Sequence, residues 1–394
     1  MSRSFASRRS LTLVVPSLAA IAALLALLLG DDGSQGNAHA RSPATARHAG
    51  HLSCDSTLGS LEALRSRAAE AGAGTVLCLR SGSYGELNLS ARSSGNGVTV
   101  RAADPGEATL AGATLRGSHL TLADFDVEGE ITIEPGSRKI SVLHNRISGG
   151  YFGVEAGPTT STYISDTTIA GNRFVGPFGE DAIRLNRYHD SGDRDPYGVL
   201  VEGNEITGVR ENGNHSDCLQ SVWGGDGLYF RRNYVHDNRC QGFFVNDQPA
   251  PIRRIVLADN LMLRNAAPCD PPESGCGPPL IVQIIGPIRG VEIFGNTIWT
   301  PENDSPLALR EGPFGAVSLA GNAIYRGWSD WSGPWRHFGQ RGDLVCRWEG
   351  TLPRLSRSSR RDCKPGFANP SSDDYRLRSG AGVDWAPGDR HYGP

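Results

Sequence analysis

The feature that most constrains this chain is a short recurring mark: a small or polar residue, then Asn, then an apolar residue two places on. It stands at His144-Asn145-Arg146-Ile147, Gly171-Asn172-Arg173-Phe174, Gly203-Asn204-Glu205-Ile206 and Arg232-Asn233-Tyr234-Val235. It returns at Asp259-Asn260-Leu261-Met262, Gly295-Asn296-Thr297-Ile298 and Gly321-Asn322-Ala323-Ile324. An earlier stretch, Leu120–Val127, keeps the apolar pattern but puts Phe125 where Asn would stand. Asn tolerates the left-handed backbone region at a sharp corner. Stacked copies of one corner would also bring the amides into register, each bonding to the next. Chance Asn turns in a Gly-rich chain would not share their flanks.

Short strands lie between the marks. From Gly198, Val199–Val201 runs into the turn at Gly203-Asn204, and Glu205–Val209 ends in the polar loop Arg210–Ser216. Cys218–Val222 reads as a third strand. Leu228–Phe230, Tyr234–His236, the loop at Arg239-Cys240 and Phe243–Val245 then repeat the series. A cycle of fewer than about thirty residues, with short strands and one marked corner, is the pattern of a parallel β-solenoid.

The rest of the chain suits that architecture. Its 394 residues exceed one average domain, but a solenoid grows by adding coils and needs no second core. Fifty glycines suit a fold made of corners. A formal charge of −3, with Lys139 and Lys364 the only lysines, gives no basic stripe and excludes nucleic acid as the expected partner.

Residues 1–40 read as a signal peptide or membrane anchor. Arg8-Arg9 precede the apolar run Leu11–Leu29, and Ala38-His39-Ala40 offers a small-x-small cleavage site. The arginine pair loosely matches a twin-arginine signal. The apolar run is long enough to span a bilayer. Either way the body is exported, secreted or tethered by this segment alone. Residues 41–53 read as a linker, 54–326 as the solenoid with its N-terminal cap, and 327–394 as a Trp- and Cys-containing cover with a degenerate last coil at Asp374–Leu377. Thr57–Ala71 is expected to form the capping helix, with Leu58, Leu61, Leu64 and Ala68 on one face. An open solenoid end needs such a cover. In an exported chain the eight cysteines suit disulfides, in the neighbouring pairs Cys54–Cys78, Cys218–Cys240, Cys269–Cys276 and Cys346–Cys363.

Alternation along the strands that follow the polar loops puts Val154, Ile183, Leu219, Phe243 and Val282 inside. The next residues then form an outward row of Glu155, Arg184, Gln220, Phe244 and Gln283. Asp181 and Asp217 stand at the starts of two of these strands. The bordering loops, with Tyr188, His189, His215, Trp223 and Asp247, are long and polar.

The SGSYGEL start after the capping helix, the VTVRAADPGEATLAGA stretch and the Asn-marked coils resemble the right-handed parallel β-helix superfamily with the pectin-lyase-like fold. The resemblance covers roughly residues 54–390, as judged by the repeats. It implies an all-β fold, a right-handed parallel β-helix with an N-terminal capping helix. That fold hosts lyases, hydrolases, epimerases and non-catalytic adhesins. It implies a groove for an extended polysaccharide or cell-wall glycan, bound by a monomer. Glu155, Tyr188, His189, Gln220, Trp223, Phe244, Asp247 and Gln283 are the candidate substrate-binding residues.

Two catalytic readings stand side by side. Glu180-Asp181-Ala182-Ile183, Ser216-Asp217-Cys218-Leu219 and Cys240-Gln241-Gly242 partly match the active strands of polygalacturonase-type glycoside hydrolases, whose two cysteines are joined. The match departs at Ser216, at Gln241 in the His position, and in lacking the Arg-Ile-Lys motif. It implies Asp181 and Asp217 as an acid/base pair about 4.8 Å apart, nearer the retaining than the inverting separation. A lyase or epimerase would instead use Arg184, His215, His189 or Tyr188 beside a uronate carboxylate, with Asp181, Asp217 or Asp247 holding Ca²⁺. The alternative is a non-catalytic surface protein that binds glycans. In that case Asp181 and Asp217 only accept backbone N–H bonds where loop becomes strand, His215 is a solvated loop residue, and Trp223 covers the flank.

Overall fold

A computed structural model describes residues 52–158, 162–192, 197–210, 216–246, 251–263, 282–299, 307–328, 335–341, 343–349, 367–369 and 374–377. The expected leader, and with it most of the linker, lies outside the described residues.

The strands join side by side into one hydrogen-bonded network, and every pairing within it is parallel. They fall into three faces that repeat coil after coil. One face stacks Gly82–Arg92, part of Ala108–Ala123, Ile131–Ile133, Val154–Ala156, Ile183–Leu185, Gln220–Ser221, Phe243–Asn246, Val282–Ile285 and Leu307–Arg310. A second stacks Thr167–Ala170, Val199–Glu202, Leu228–Arg231, Arg254–Ala258, Gly290–Phe294 and Phe314–Ala320. A third stacks Arg146–Ser148, Arg173–Val175, Glu205–Thr207, Tyr234–His236, Leu261–Leu263 and Thr297–Trp299. Parallel neighbours joined by crossovers wind right-handed. The protein is a right-handed parallel β-helix. Its core is the lumen, filled by Val154, Ile183, Leu219, Phe243, Val282 and their equivalents on the other faces.

The Asn marks form one ladder at the corner between the second and third faces. Asn233 Nδ2 donates to Asn260 Oδ1 at 3.1 Å and to the Val201 carbonyl at 3.1 Å, while Asn233 Oδ1 accepts from the Asn204 backbone N–H at 2.9 Å. The same pattern runs from Asn145 through Asn172, Asn204, Asn233, Asn260 and Asn296 to Asn322. Its first step is the Phe125 N–H donating to Asn145 Oδ1, so Phe125 begins the ladder from outside it. Its last step is Asp343, whose Oδ1 takes both the N–H and the Nδ2 of Asn322 at 2.8 Å. The left-handed conformation falls on the residue before each Asn: His144, Gly171, Gly203, Arg232, Asp259, Gly295 and Gly321 all have positive φ. The corner strain expected on Asn therefore sits one position earlier. That explains the small or polar residue there and leaves Asn solely to its amide.

The helix is shorter than expected, Leu61–Glu70. Ser60 caps it, its Oγ accepting from the Ala63 N–H, and Leu64 and Ala68 press onto the lumen's end. Thr57 and Leu58 belong instead to a first strand, Ser56–Leu58, paired with Leu77–Leu79. Gly59-Ser60 supply the break and the cap that a helix beginning at Thr57 would lack. Cys54 and Cys78 are bonded as expected. Cys218 and Cys240 are not; they are free, buried thiols with sulfurs 3.0 Å apart. Cys269, Cys276 and Cys363 lie outside the described residues. The coils also continue past the expected boundary at 326. Trp335–Arg341 pairs with Phe314–Ala320, and Leu344–Glu349 with Ala323–Trp328. Asp374–Leu377 forms no coil but an antiparallel pair with Phe367–Asn369.

Candidate functional site

The register of the first face places one residue per coil in a single outward row. Asn88, Thr114, Thr132, Glu155, Arg184, Gln220, Phe244, Gln283 and Ala308 are partners in sequence along it. The five expected members of the row are all in it, with the lumen residues on either side. Depth divides them. Arg184, with 18 % of its side chain exposed, and the half-buried Glu155 and Phe244 reach the surface. Gln220 and Gln283 are buried, and Gln220 Nε2 is held at 2.9 Å by Asp217 Oδ2.

Asp181 and Asp217 do not face a groove. Both are 0 % exposed. Asp181 Oδ1 accepts the Asp217 backbone N–H at 2.8 Å, and its Oδ2 takes Arg184 Nη1 at 3.0 Å. Where loop becomes strand, Asp181 thus ties one coil to the next, and the pair is closed to an extended sugar chain. Burial first, and then the charge of Asp217, push the Asp181 carboxyl well above the usual carboxylate range; Arg184 opposes this without reversing it. Both Asp181 oxygens are engaged, and among the described residues no three His, Cys, Asp or Glu side chains are placed to hold a metal ion.

Tyr188 is a second correction. It was expected to line the site, but it fills the lumen, wholly buried, with its hydroxyl 2.9 Å from Ser221 Oγ. Its ring is the apolar residue that the turn at Asn186 delivers inward, and burial pushes its phenol up. His189 next to it is exposed, edge-on to Tyr163. His215 and Asp247 lie outside the described residues.

Chemistry that reaches solvent gathers around Glu155 and Arg184. Glu155 Oε1 accepts from Asn186 Nδ2 at 3.2 Å. Partial burial first, and then the charge of Glu130, raise the Glu155 carboxyl above its ordinary value; Asn186 and Arg184 pull the other way. Arg184 also bonds Glu180 Oε1 at 3.3 Å, and its guanidinium lies 5.7 Å from the Phe152 ring centroid. Glu130 is fixed by Thr132 Oγ1 and the Phe152 N–H. Tyr151 is 50 % exposed and its hydroxyl bonds Glu180, whose carboxylate raises the phenol. A β-carbon on Gly179 would lie 2.7 Å from Cδ2 of Tyr151, so the glycine lets that ring lie flat against the chain. Trp223, just beyond the Gln220 strand, is exposed at a φ of 67°, a costly conformation for a bulky side chain. Tyr151, Glu130 and Glu180 were not among the sequence candidates. The alternation that revealed the row does not extend into the turns that carry them.

No protein-family model matches the chain, and no curated protein does. Among solved structures, the catalytic unit of a thermostable GH87 α-1,3-glucanase from Streptomyces thermodiastaticus is 14 % identical at a TM-score of 0.44, over 78 % of this chain and 68 % of that one. Pectate lyase Pel9A is 12 % identical at 0.42, over 84 % and 87 %. PfbA, a surface adhesin of Streptococcus pneumoniae, is 11 % identical at 0.40, over 73 % and 86 %. Likeness of this degree says nothing of activity, and the fold rests on the register described above.

Proposed function

We propose that the protein is carbohydrate-active and processes an extended glycan laid across the outward row, with Glu155 as the group that moves the proton. The observation that carries this reading is the state of Glu155. It is a half-buried carboxyl held above its ordinary pKa beside a guanidinium that is fixed at two points. A carboxyl that holds its proton above its ordinary range is suited to general acid catalysis. The row spans successive coils at a spacing of about 4.8 Å, so a linear polymer can lie along it. Tyr151 on one side and Trp223 on the other offer aromatic faces where the strands begin and end.

The acid/base pair Asp181 and Asp217 is set aside as the reacting pair because of its burial. The two residues serve instead to hold Arg184 and Gln220 in place. The arginine pair and apolar run near the N-terminus support export, and the Cys54–Cys78 bond suits an oxidising compartment. The test is to incubate the purified protein with a panel of neutral and acidic polysaccharides. Reducing-end release and ultraviolet absorbance of unsaturated products are followed together. Product from at least one polymer, lost in Glu155→Gln, supports the reading. No product and no binding on any member would move the protein to the non-enzymatic class.

A further inference from the structure

The charge along the outward face is lopsided. Glu86, Glu130, Glu155 and Glu180 come from strands and turns within five consecutive coils, counted through Gly112, which pairs with Glu86. A β-carbon on Gly112 would be 3.7 Å from Glu86 Cγ and 3.1 Å from the Glu130 carbonyl, so Glu86 lies over the glycine on the side of Glu130. Thr114 Oγ1 donates to Glu86 Oε1 at 3.4 Å.

Arg184 is the only cation in the row, and its charge is taken by Asp181 and Glu180. Arg116, on the same face, is paired with Glu134 at 3.6 Å. Arg187, past the end of the Arg184 strand, is turned onto the Tyr163 ring at 5.6 Å. Among the described residues no carboxylate-to-cation pair is formed by Glu130, whereas Arg65 Nη2 donates to the Glu86 backbone carbonyl at 3.2 Å and the charge of Arg184 acts on Glu155.

We infer that the glycan taken by this face is uncharged, and that uronate-containing polymers are excluded from it. The inference rests on the glycan reading above and names its substrate class. A uronate lying along the row would bring its carboxylate against Glu130, which is held by Thr132 Oγ1 and the Phe152 N–H and by no described cation, and like charges a few ångströms apart repel even in water. Arg184 cannot offset this without leaving partners it already holds. Proton removal next to a sugar carboxylate also needs a cation to neutralise that carboxylate as charge builds. The one cation in the row is already committed. A neutral sugar meets none of these costs, and the surplus carboxylates are acceptors for its hydroxyls.

The experiment measures binding rather than turnover. Several uronans, each beside the same polymer after chemical reduction of its carboxylates to hydroxymethyl groups, are titrated against the full protein at low and high salt. The reduced member of a pair should bind about tenfold more tightly at low salt. The gap should shrink at high salt as screening sets in, and it should shrink at low salt in Glu130→Gln. Equal or tighter binding of the parent uronans would overturn the inference while leaving the glycan reading intact. Failure of every polymer in both forms to bind would overturn the glycan reading and the inference with it.

Discussion

The backbone N–H of Asp217 donates to Oδ1 of Asp181 at 2.8 Å, from one coil to the next, with both side chains sealed from solvent. The relationship turns a pair that looks catalytic in sequence into a brace. Its other arms, Arg184 on Asp181 and Gln220 on Asp217, show what is braced: two members of the outward row.

Asp181→Ala should therefore destabilise the protein by about 2–3 kcal/mol, because it strands a buried N–H and removes a partner of Arg184. Asp181→Asn should cost less, about 1–2 kcal/mol, since its amide oxygen can still accept the Asp217 N–H while its NH2 cannot accept from Arg184. The sign with pH follows from the raised carboxyl. The folded state holds this proton more tightly than the unfolded state, so its contribution is present below the ordinary Asp range. It is lost as pH rises toward the raised value. Urea unfolding across that window should show stability falling with pH in the wild type and a flatter profile in Asp181→Asn. Identical slopes would exclude the assignment.

The Asn ladder makes a separate prediction. Asn233→Ala leaves the Asn204 N–H and the Val201 carbonyl without their partner deep in a corner. The expected loss is about 3 kcal/mol in denaturant unfolding at an unchanged m-value. A loss below about 0.5 kcal/mol, the usual size of a surface change, would mean the ladder is incidental.

Glu155 acting as a general acid implies a basic limb in the pH–rate profile, activity falling as pH rises through its elevated pKa. Glu130 is one cause of that elevation, after burial. Glu130→Gln should move the limb to lower pH, measured as kcat/KM on whichever glycan is turned over. A limb that stays in place would detach Glu155 from the proton transfer.

Cys218 and Cys240 sit on adjacent coils with sulfurs 3.0 Å apart, next to the bridge between Asp217 and Gln241. Both are buried, and burial first, then Cys218, push the Cys240 thiol up, so neither should react readily with a bulky alkylating agent. Treatment with a small disulfide oxidant, which takes up the two electrons, should join them, lowering the mass by two hydrogen atoms and raising the unfolding midpoint. Rapid alkylation of both in the native protein would show that the coils are not packed here as described.

How much of this was legible in the sequence depended on periodicity. The seven Asn marks and the row from Glu155 to Gln283 could be read because corners repeat and strands alternate. A register that pairs Glu155 with Arg184 and Arg184 with Gln220 follows directly from both. Alternation gives direction, however, and not depth. It sends Asp217's neighbours outward without saying that Asp217 and Gln220 are covered. It also stops at the turns, where Tyr188 goes inward as an aromatic despite its polar surroundings, and where Tyr151 and Glu180 come forward. Asp343 escaped notice because the ladder's last acceptor is a carboxylate on a coil that carries no Asn. Apolar spacing alone extends the helix back to Thr57, whereas the Gly59-Ser60 break starts it at Leu61.

In the proposed function Glu155 reacts and Asp217 supports. Turnover and thermal midpoint measured on Glu155→Gln and Asp217→Asn, with the same glycan and in the same buffer, test this most directly. Glu155→Gln should lose turnover with its midpoint nearly unchanged, while Asp217→Asn should keep much of its turnover and unfold about 1–2 °C lower, the equivalent of about 1 kcal/mol. Full turnover in Glu155→Gln, together with an inactive Asp217→Asn of wild-type midpoint, would contradict this assignment.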